Sequence, residues 1–233
     1  MVTTELVVLD LAGTTVADDG LVERAFTAAI AAAGVSEEDE RYPGMLGYVR
    51  ETMGQSKITV FRALLGDEER ARKANTEFEA AYGRLVDAGE CIPIAGAEET
   101  IRGLREKGVR VALTTGFARA TQRALLEALG WNDLADLALA PGEGVRGRPY
   151  PDLVLAAALK LQVTDVRNIA VAGDTPSDVR TGLAAGAGIA AGVLTGAGNR
   201  ADLEAAGATH VLDSVSALPA LLDHAEPEGA TQS

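Results

Sequence analysis

Short apolar runs that each stop at a hydroxyl, glycine or acidic residue recur along this chain and alternate with segments of helical period. Leu6-Val7-Val8-Leu9 opens into Asp10-Leu11-Ala12-Gly13-Thr14-Thr15. Val109-Arg110-Val111-Ala112-Leu113 follows a helical pattern over residues 97–107 and a stop at Gly108, then runs into Thr114-Thr115-Gly116. Asn168-Ile169-Ala170-Val171-Ala172 leads to Gly173-Asp174. Runs this short and this apolar are strands covered on both faces. Further strands are predicted at 137–140, 189–194 and 210–212, and helices at 118–129 and 151–161. The alternation specifies an α/β fold, an open parallel sheet with helices on both faces.

Residues 16–90 break the rhythm. They read as helices alone, at 21–33, at 47–65 with interruptions, and at 68–88. The expected organisation is therefore a core of residues 1–15 and 91–233 with a helical cap of 16–90 inserted into it. Pro93 and Gly96 mark the return to the core, and the paired connections near 16 and 90 would be hinges. The helix at 21–33 offers a face for a homodimer. The tail 226–233, apolar only at Ala230, is expected to fray.

With 34 acidic against 21 basic residues the chain carries a net charge of −13 and no basic run, which argues against nucleic acid and anionic membranes as partners. No stretch of about 18 apolar residues stands out as a membrane span. The single cysteine, Cys91, allows no internal disulfide, and with no export signal at the N-terminus the expected location is cytoplasmic. Cys91 and Trp131 read as packing residues. His210 and His224 lack ligand-like spacing for zinc. Gly142-Glu143-Gly144-Val145-Arg146-Gly147 formally matches a dinucleotide fingerprint, but Arg148-Pro149 follows where a helix should open.

Ligands of open α/β sheets gather at the carboxyl ends of the strands, and three such ends carry Asp10, Thr115, and Asp174 with Asp178. Taken singly, each aspartate would be a turn or cap residue. Together they suit phosphoryl chemistry: a carboxylate attacks phosphorus once its charge is neutralised. Mg2+, bound by Asp10, Asp174 and the carbonyl of Ala12, would supply that. Thr115 and the Gly116 amide would hold phosphoryl oxygens, and Arg148 would balance developing charge. Asp178 either binds metal or orients the groups that do.

Four motifs, Asp10-Leu11-Ala12-Gly13-Thr14-Thr15-Val16, Leu113-Thr114-Thr115-Gly116, Gly147-Arg148-Pro149-Tyr150-Pro151-Asp152 and Gly173-Asp174-Thr175-Pro176-Ser177-Asp178, resemble in content and order those of the haloacid dehalogenase superfamily. The resemblance implies a Rossmann-like core with a C1-type helical cap and a hydrolase that passes through an aspartyl-phosphate on Asp10. It also implies Mg2+ at Asp10, Ala12, Asp174 and Asp178, with Ala12, Gly13, Thr14 and Gly116 against the substrate.

Phosphatases of that superfamily usually carry a second Asp two residues after the nucleophile, as the acid for the leaving alkoxide. Ala12 stands here, and acid–base assistance is worth about 10²- to 10⁴-fold. The Asp-x-Ala-Gly-Thr-Thr form, together with Met53-Gly54-Gln55-Ser56-Lys57-Ile58, instead resembles the phosphonoacetaldehyde hydrolases, in which a cap lysine makes a Schiff base with the substrate. The resemblance implies that Lys57 is this lysine and that Met53 contacts substrate. Two proton-handling positions of that family, a histidine and a tyrosine, are Val60 and Phe117 here. The expected activity is cleavage of the carbon–phosphorus bond of a small phosphonate. The alternatives are a phosphatase of a small phosphate monoester, similar to phosphoglycolate phosphatases, and a non-catalytic module that accepts or binds a phosphoryl group.

Overall fold

A computed structural model of the chain describes residues 4–142 and 144–224. Among them β1 (Leu6–Asp10) is followed by four helices, α1 (Leu21–Ala32), α2 (Tyr42–Glu51), α3 (Lys57–Leu65) and α4 (Glu68–Asp87). The alternation then resumes with α5 (Ala97–Glu106), β2 (Arg110–Thr114), α6 (Arg119–Ala128), β3 (Leu137–Leu139) and α7 (Asp152–Lys160). It continues through β4 (Ile169–Gly173), α8 (Pro176–Ala184), β5 (Ile189–Val193), α9 (Arg200–Ala205), β6 (His210–Leu212) and α10 (Leu218–His224).

The strands form one parallel six-stranded sheet in the order β3-β2-β1-β4-β5-β6. Every residue of β1 and β4 is buried. The period-2 geometry of a strand splits β1 between two cores: Val7 and Leu9 pack with Ile101 and Leu104 of α5 and Leu125 of α6, while Leu6 and Val8 pack with Val154 and Ala157 of α7. The chain builds outward from β1 in one direction through β2 and β3, and in the other through β4, β5 and β6. The reversal lies between β1 and β4, so a crevice opens at their carboxyl ends. The register puts Asp10 level with Thr114, and Leu9 level with Ala172, so the residues just past β2 and β4 emerge beside Asp10.

The insert leaves and rejoins the core through two chains that lie side by side. Ala17 N donates to Ile92 O at 2.9 Å and Ile94 N to Thr15 O at 2.9 Å. Within the insert α1 lies along α4, and a run of rings carries packing through it: Phe26 stacks on Phe61 with centroids 5.9 Å apart, and Phe61 meets Phe78 at 6.1 Å. Phe117 of the core closes the run, 4.4 Å from Tyr82 and 6.2 Å from Phe78. The apolar face of α1, including Val22, Phe26 and Ile30, is buried in this packing.

One expectation needs correction. The second insert helix begins at Tyr42, not Gly47, because Pro43 sits in the first turn, where a missing N–H costs nothing. A further helix, α8, is opened in the same way by Pro176, behind a Thr175–Asp178 capping box. The segment matching a dinucleotide fingerprint forms a tight Gly142–Val145 bridge, and the next helix opens only at Asp152. The predicted frayed tail lies outside the described residues, and no helix among the described residues is long and apolar enough to cross a membrane.

The loop between α2 and α3 seats the insert on the core. A Cβ added to Gly116 would lie 2.6 Å from Gln55 O and 2.7 Å from Gly54 O, and one added to Gly54 would lie 2.5 Å from Thr175 Oγ1. Backbone cannot yield as a flexible side chain does. Gly116→Ala should therefore lower stability by about 1–3 kcal/mol, the usual cost of overpacking, measured by urea unfolding. An unchanged midpoint would mean that the insert does not rest on this loop.

Candidate active site

Asp10 ends β1, Thr115 and Gly116 follow β2, and Asp174 follows β4. Three buried carboxylates, Asp10, Asp174 and Asp178, each place an oxygen so that all lie within 4.8 Å of one another. Arg148, only 4% exposed, enters between them from the loop ahead of α7. Its Nη2 donates to Asp10 Oδ1 and its Nη1 to Asp178 Oδ1, while its Nε has no partner. Burial works against the guanidinium charge, but Asp10 and Asp178 outweigh it and keep it protonated.

Asp178 is already committed on both oxygens. Oδ2 accepts from Thr175 N at 3.1 Å and from Thr175 Oγ1, closing the capping box of α8, and Oδ1 accepts from Arg148. Asp174 is held by Ala197 N at 2.8 Å and Thr14 Oγ1 at 3.3 Å. Gly13 passes so close, at φ 83°, that a Cβ there would lie 2.4 Å from Asp174 Oδ2. Thr195 Oγ1 donates to Gly13 O at 2.7 Å, tying the loop after β5 to the loop after β1.

Burial, followed by the charges of Asp10 and Asp178, pushes Asp174 well above the usual carboxylate range, and burial pushes Asp10 up against the pull of Arg148. Three carboxylates against one guanidinium leave the cluster short of positive charge. All the nearby donors are oxygens, the ligand type of hard divalent cations. The residues therefore suit a metal ion, with Asp10 and Asp174 having more coordination capacity left than Asp178.

The hydroxyls divide by role. Thr114 Oγ1 turns back to Leu9 O of β1 at 3.4 Å, whereas Thr115 Oγ1 receives Phe117 N at 3.1 Å and its residue faces the site. Thr15 Oγ1 bonds Asp10 O at 2.9 Å and shapes the loop, not the cavity. That cavity, about 30 Å³, is lined by Asp10, Ala12, Met53, Lys57, Thr115 and Gly116 among others. A cleft of about 590 Å³ between insert and core adjoins it and shares Lys57 and Gly116.

Lys57 opens α3 yet is only 7% exposed. Its Nζ lies 5.8 Å from the ring centres of both Phe78 and Phe117. Burial lowers its pKa from 10.5 to about 8, although Asp18, Asp10 and Glu79 favour the charged form. A buried lysine of lowered pKa keeps part of its amine unprotonated near neutrality and is a nucleophile toward carbonyl carbon. Val60 and Phe117 beside it are buried and carry nothing that titrates.

Sequence reasoning had passed over two acids near Lys57. Asp18 sits at the cavity wall within Asp18-Asp19-Gly20, a string that reads as a turn. Glu79 lies on α4, a helix so charged that an acid there reads as solvated; its carboxylate instead reaches the core, accepting from Ala118 N at 3.3 Å and from Thr121 Oγ1. Thr175 had a visible signal, the Thr-x-x-Asp spacing of a capping box.

Comparison with known proteins agrees with this geometry. The profile of the haloacid dehalogenase-like hydrolases matches residues 4–186. A phosphonoacetaldehyde hydrolase of Bacillus cereus is 30% identical, over 78% of this chain and 73% of its own length. One from Bordetella pertussis is 29% identical, over 94% and 91%. The crystal structure of a phosphonoacetaldehyde hydrolase-like protein from Oleispira antarctica superposes with a TM-score of 0.80 at 25% identity, covering 95% of this chain and 92% of that one. With its parallel sheet, its inserted helices and its acidic cluster at the β1/β4 crevice, the chain belongs to the haloacid dehalogenase-like hydrolases.

Proposed function

We propose that the chain is a phosphonatase that cleaves the carbon–phosphorus bond of a small aldehyde phosphonate such as phosphonoacetaldehyde. The observation that carries this reading is the sharing of one small cavity by a buried amine, Lys57, and a buried carboxylate, Asp10, with Ala12 where an acid for a leaving alkoxide would stand. The named relatives from Bacillus cereus and Bordetella pertussis support it.

In this reading Lys57 Nζ adds to the aldehyde carbon, and loss of water gives a protonated imine. Asp10 attacks phosphorus; the carbon–phosphorus bond breaks and its electrons pass into the imine to give an enamine, so no alkoxide needs a proton. Water then hydrolyses the aspartyl-phosphate. Thr115 and the Gly116 amide hold phosphoryl oxygens, Arg148 fixes Asp10, and Gly13, Thr14 and Met53 close the wall around the reacting groups. Mg2+, held by Asp10, Asp174 and the Ala12 carbonyl with Asp178 orienting the set, would neutralise the phosphoryl charge. Residues 16–90 act as the cap that selects substrate over a core of 1–15 and 91–233.

A second reading, hydrolysis of a small phosphate monoester, is favoured by Val60 and Phe117, whose side chains cannot relay protons to an imine. Phosphate release with Mg2+, comparing phosphonoacetaldehyde with a panel of small monoesters, separates the two. Asp10→Ala should abolish turnover on any substrate while leaving the fold intact by circular dichroism. Lys57→Arg keeps the charge but is a poor amine nucleophile, so it should remove nearly all activity with the phosphonate and cost little with a monoester. Phosphonate turnover in Lys57→Arg close to that of the wild type would sink the imine mechanism.

The lowered pKa of Lys57 also sets a pH dependence. Attack needs the neutral amine, whose fraction rises about tenfold per pH unit below the pKa and saturates above it. Modification of Lys57 by an amine-acylating reagent, followed by peptide mass, should therefore climb steeply between pH 6 and 8 and level off above about pH 9. A climb that continues to pH 10 would place the amine at its ordinary value.

A further inference from the structure

We infer that Asp18 is the proton-transfer residue for the Lys57 amine, the acid that expels water as the imine forms. This inference rests on the imine reading above and assigns a residue to the loss of water within it.

The charged groups that act on Lys57 are Asp18, Arg148, Asp10 and Glu79. Lys57 itself forms no ion pair among the described residues. Asp10 is bound by Arg148 and occupied with phosphorus. Glu79 has both oxygens engaged, Oε1 by Ala118 N and Oε2 by Thr121 Oγ1. Asp18 differs. Its Oδ1 accepts from Val22 N at 3.1 Å, and among the described residues no bond engages its Oδ2. The residue lines the same cavity of about 30 Å³ as Lys57 and Asp10. Burial raises the pKa of Asp18 and lowers that of Lys57, so it favours the acid form of one and the free amine of the other.

The step balances. The neutral amine adds to the aldehyde carbon, and the carbonyl electron pair moves to oxygen. After the ammonium proton passes to that oxygen, the product is a neutral carbinolamine. Protonated Asp18 then gives its proton to the carbinolamine hydroxyl. Water leaves, nitrogen supplies the electron pair of the new C=N bond, and the products are a protonated imine and an Asp18 carboxylate.

A structural role for Asp18 is also visible, since its carbonyl and carboxylate receive the first amides of α1, from Leu21 N at 2.6 Å and Val22 N. The test therefore uses Asp18→Asn, which retains a cap acceptor but cannot donate as an acid, with Asp18→Glu as the variant that restores one. The readout is the rate of borohydride trapping of phosphonoacetaldehyde on Lys57, followed by peptide mass at pH 7, with thermal unfolding as the control on folding. Trapping should slow by about 10²-fold in Asp18→Asn and recover in part in Asp18→Glu. A purely electrostatic role predicts the opposite sign, because removing the Asp18 charge makes more of the amine neutral and trapping faster. Wild-type trapping with Asp18→Asn equally fast or faster would overturn the role and leave the imine standing. No trapping in the wild type would overturn the imine reading and this role with it.

Discussion

The Arg148 guanidinium, buried between Asp10 and Asp178, is the contact on which the rest of the site depends. It joins three parts of the chain that are distant in sequence: the end of β1, the loop ahead of α7 and the first turn of α8. Charges removed from water this completely gain little net stability from each other, and losing one partner of such a set typically costs about 3–5 kcal/mol because the remainder stays buried and unpaired. Its value is therefore positional. Through Asp178 the same ion pair fixes the capping box of α8, and α8 begins two residues after Asp174. The orientation of one guanidinium thus sets the relative placement of two carboxylates from opposite sides of the sheet reversal.

The insert completes what the core begins. Strand ends supply oxygens and a guanidinium, but the amine comes from the first residue of α3, carried in by a loop that fits only because Gly54 and Gly116 lack a Cβ. With the insert seated, the space beside Asp10 is about 30 Å³, enough for a few waters at most. The adjoining cleft of about 590 Å³ already parts the two layers along one side of Lys57.

The centre of the sheet was legible because β1 and β4 are fully buried apolar runs that lead into residues that cannot be buried without a partner, Asp10 and Asp174. Helix starts were less legible where proline opened them, as at Pro43 and Pro176, since the residue that breaks a helix interior is also one that begins a helix. The acids around Lys57 were not legible. Asp18 and Asp10 are close enough in sequence to suggest contact, but Asp18-Asp19-Gly20 has the composition of any turn. Glu79 meets Ala118 and Thr121 across about forty residues, and no local pattern records that pairing. The burial of Lys57 was likewise invisible, because the rings that enclose it, Phe78 and Phe117, come from separate elements.

Glu79 has a bearing on the helix it touches. Ala118 precedes α6 and offers no side-chain cap, and the carboxylate on α4 takes the amide of Ala118 itself and the hydroxyl of Thr121 in the first turn. A helix start pinned from a neighbouring layer is held only while the two layers touch. Separation would expose the amide of Ala118 and loosen the first turn of α6, directly beyond Thr115, Gly116 and Phe117. Opening would thus reach the loop of Thr115 and Gly116 through the backbone itself.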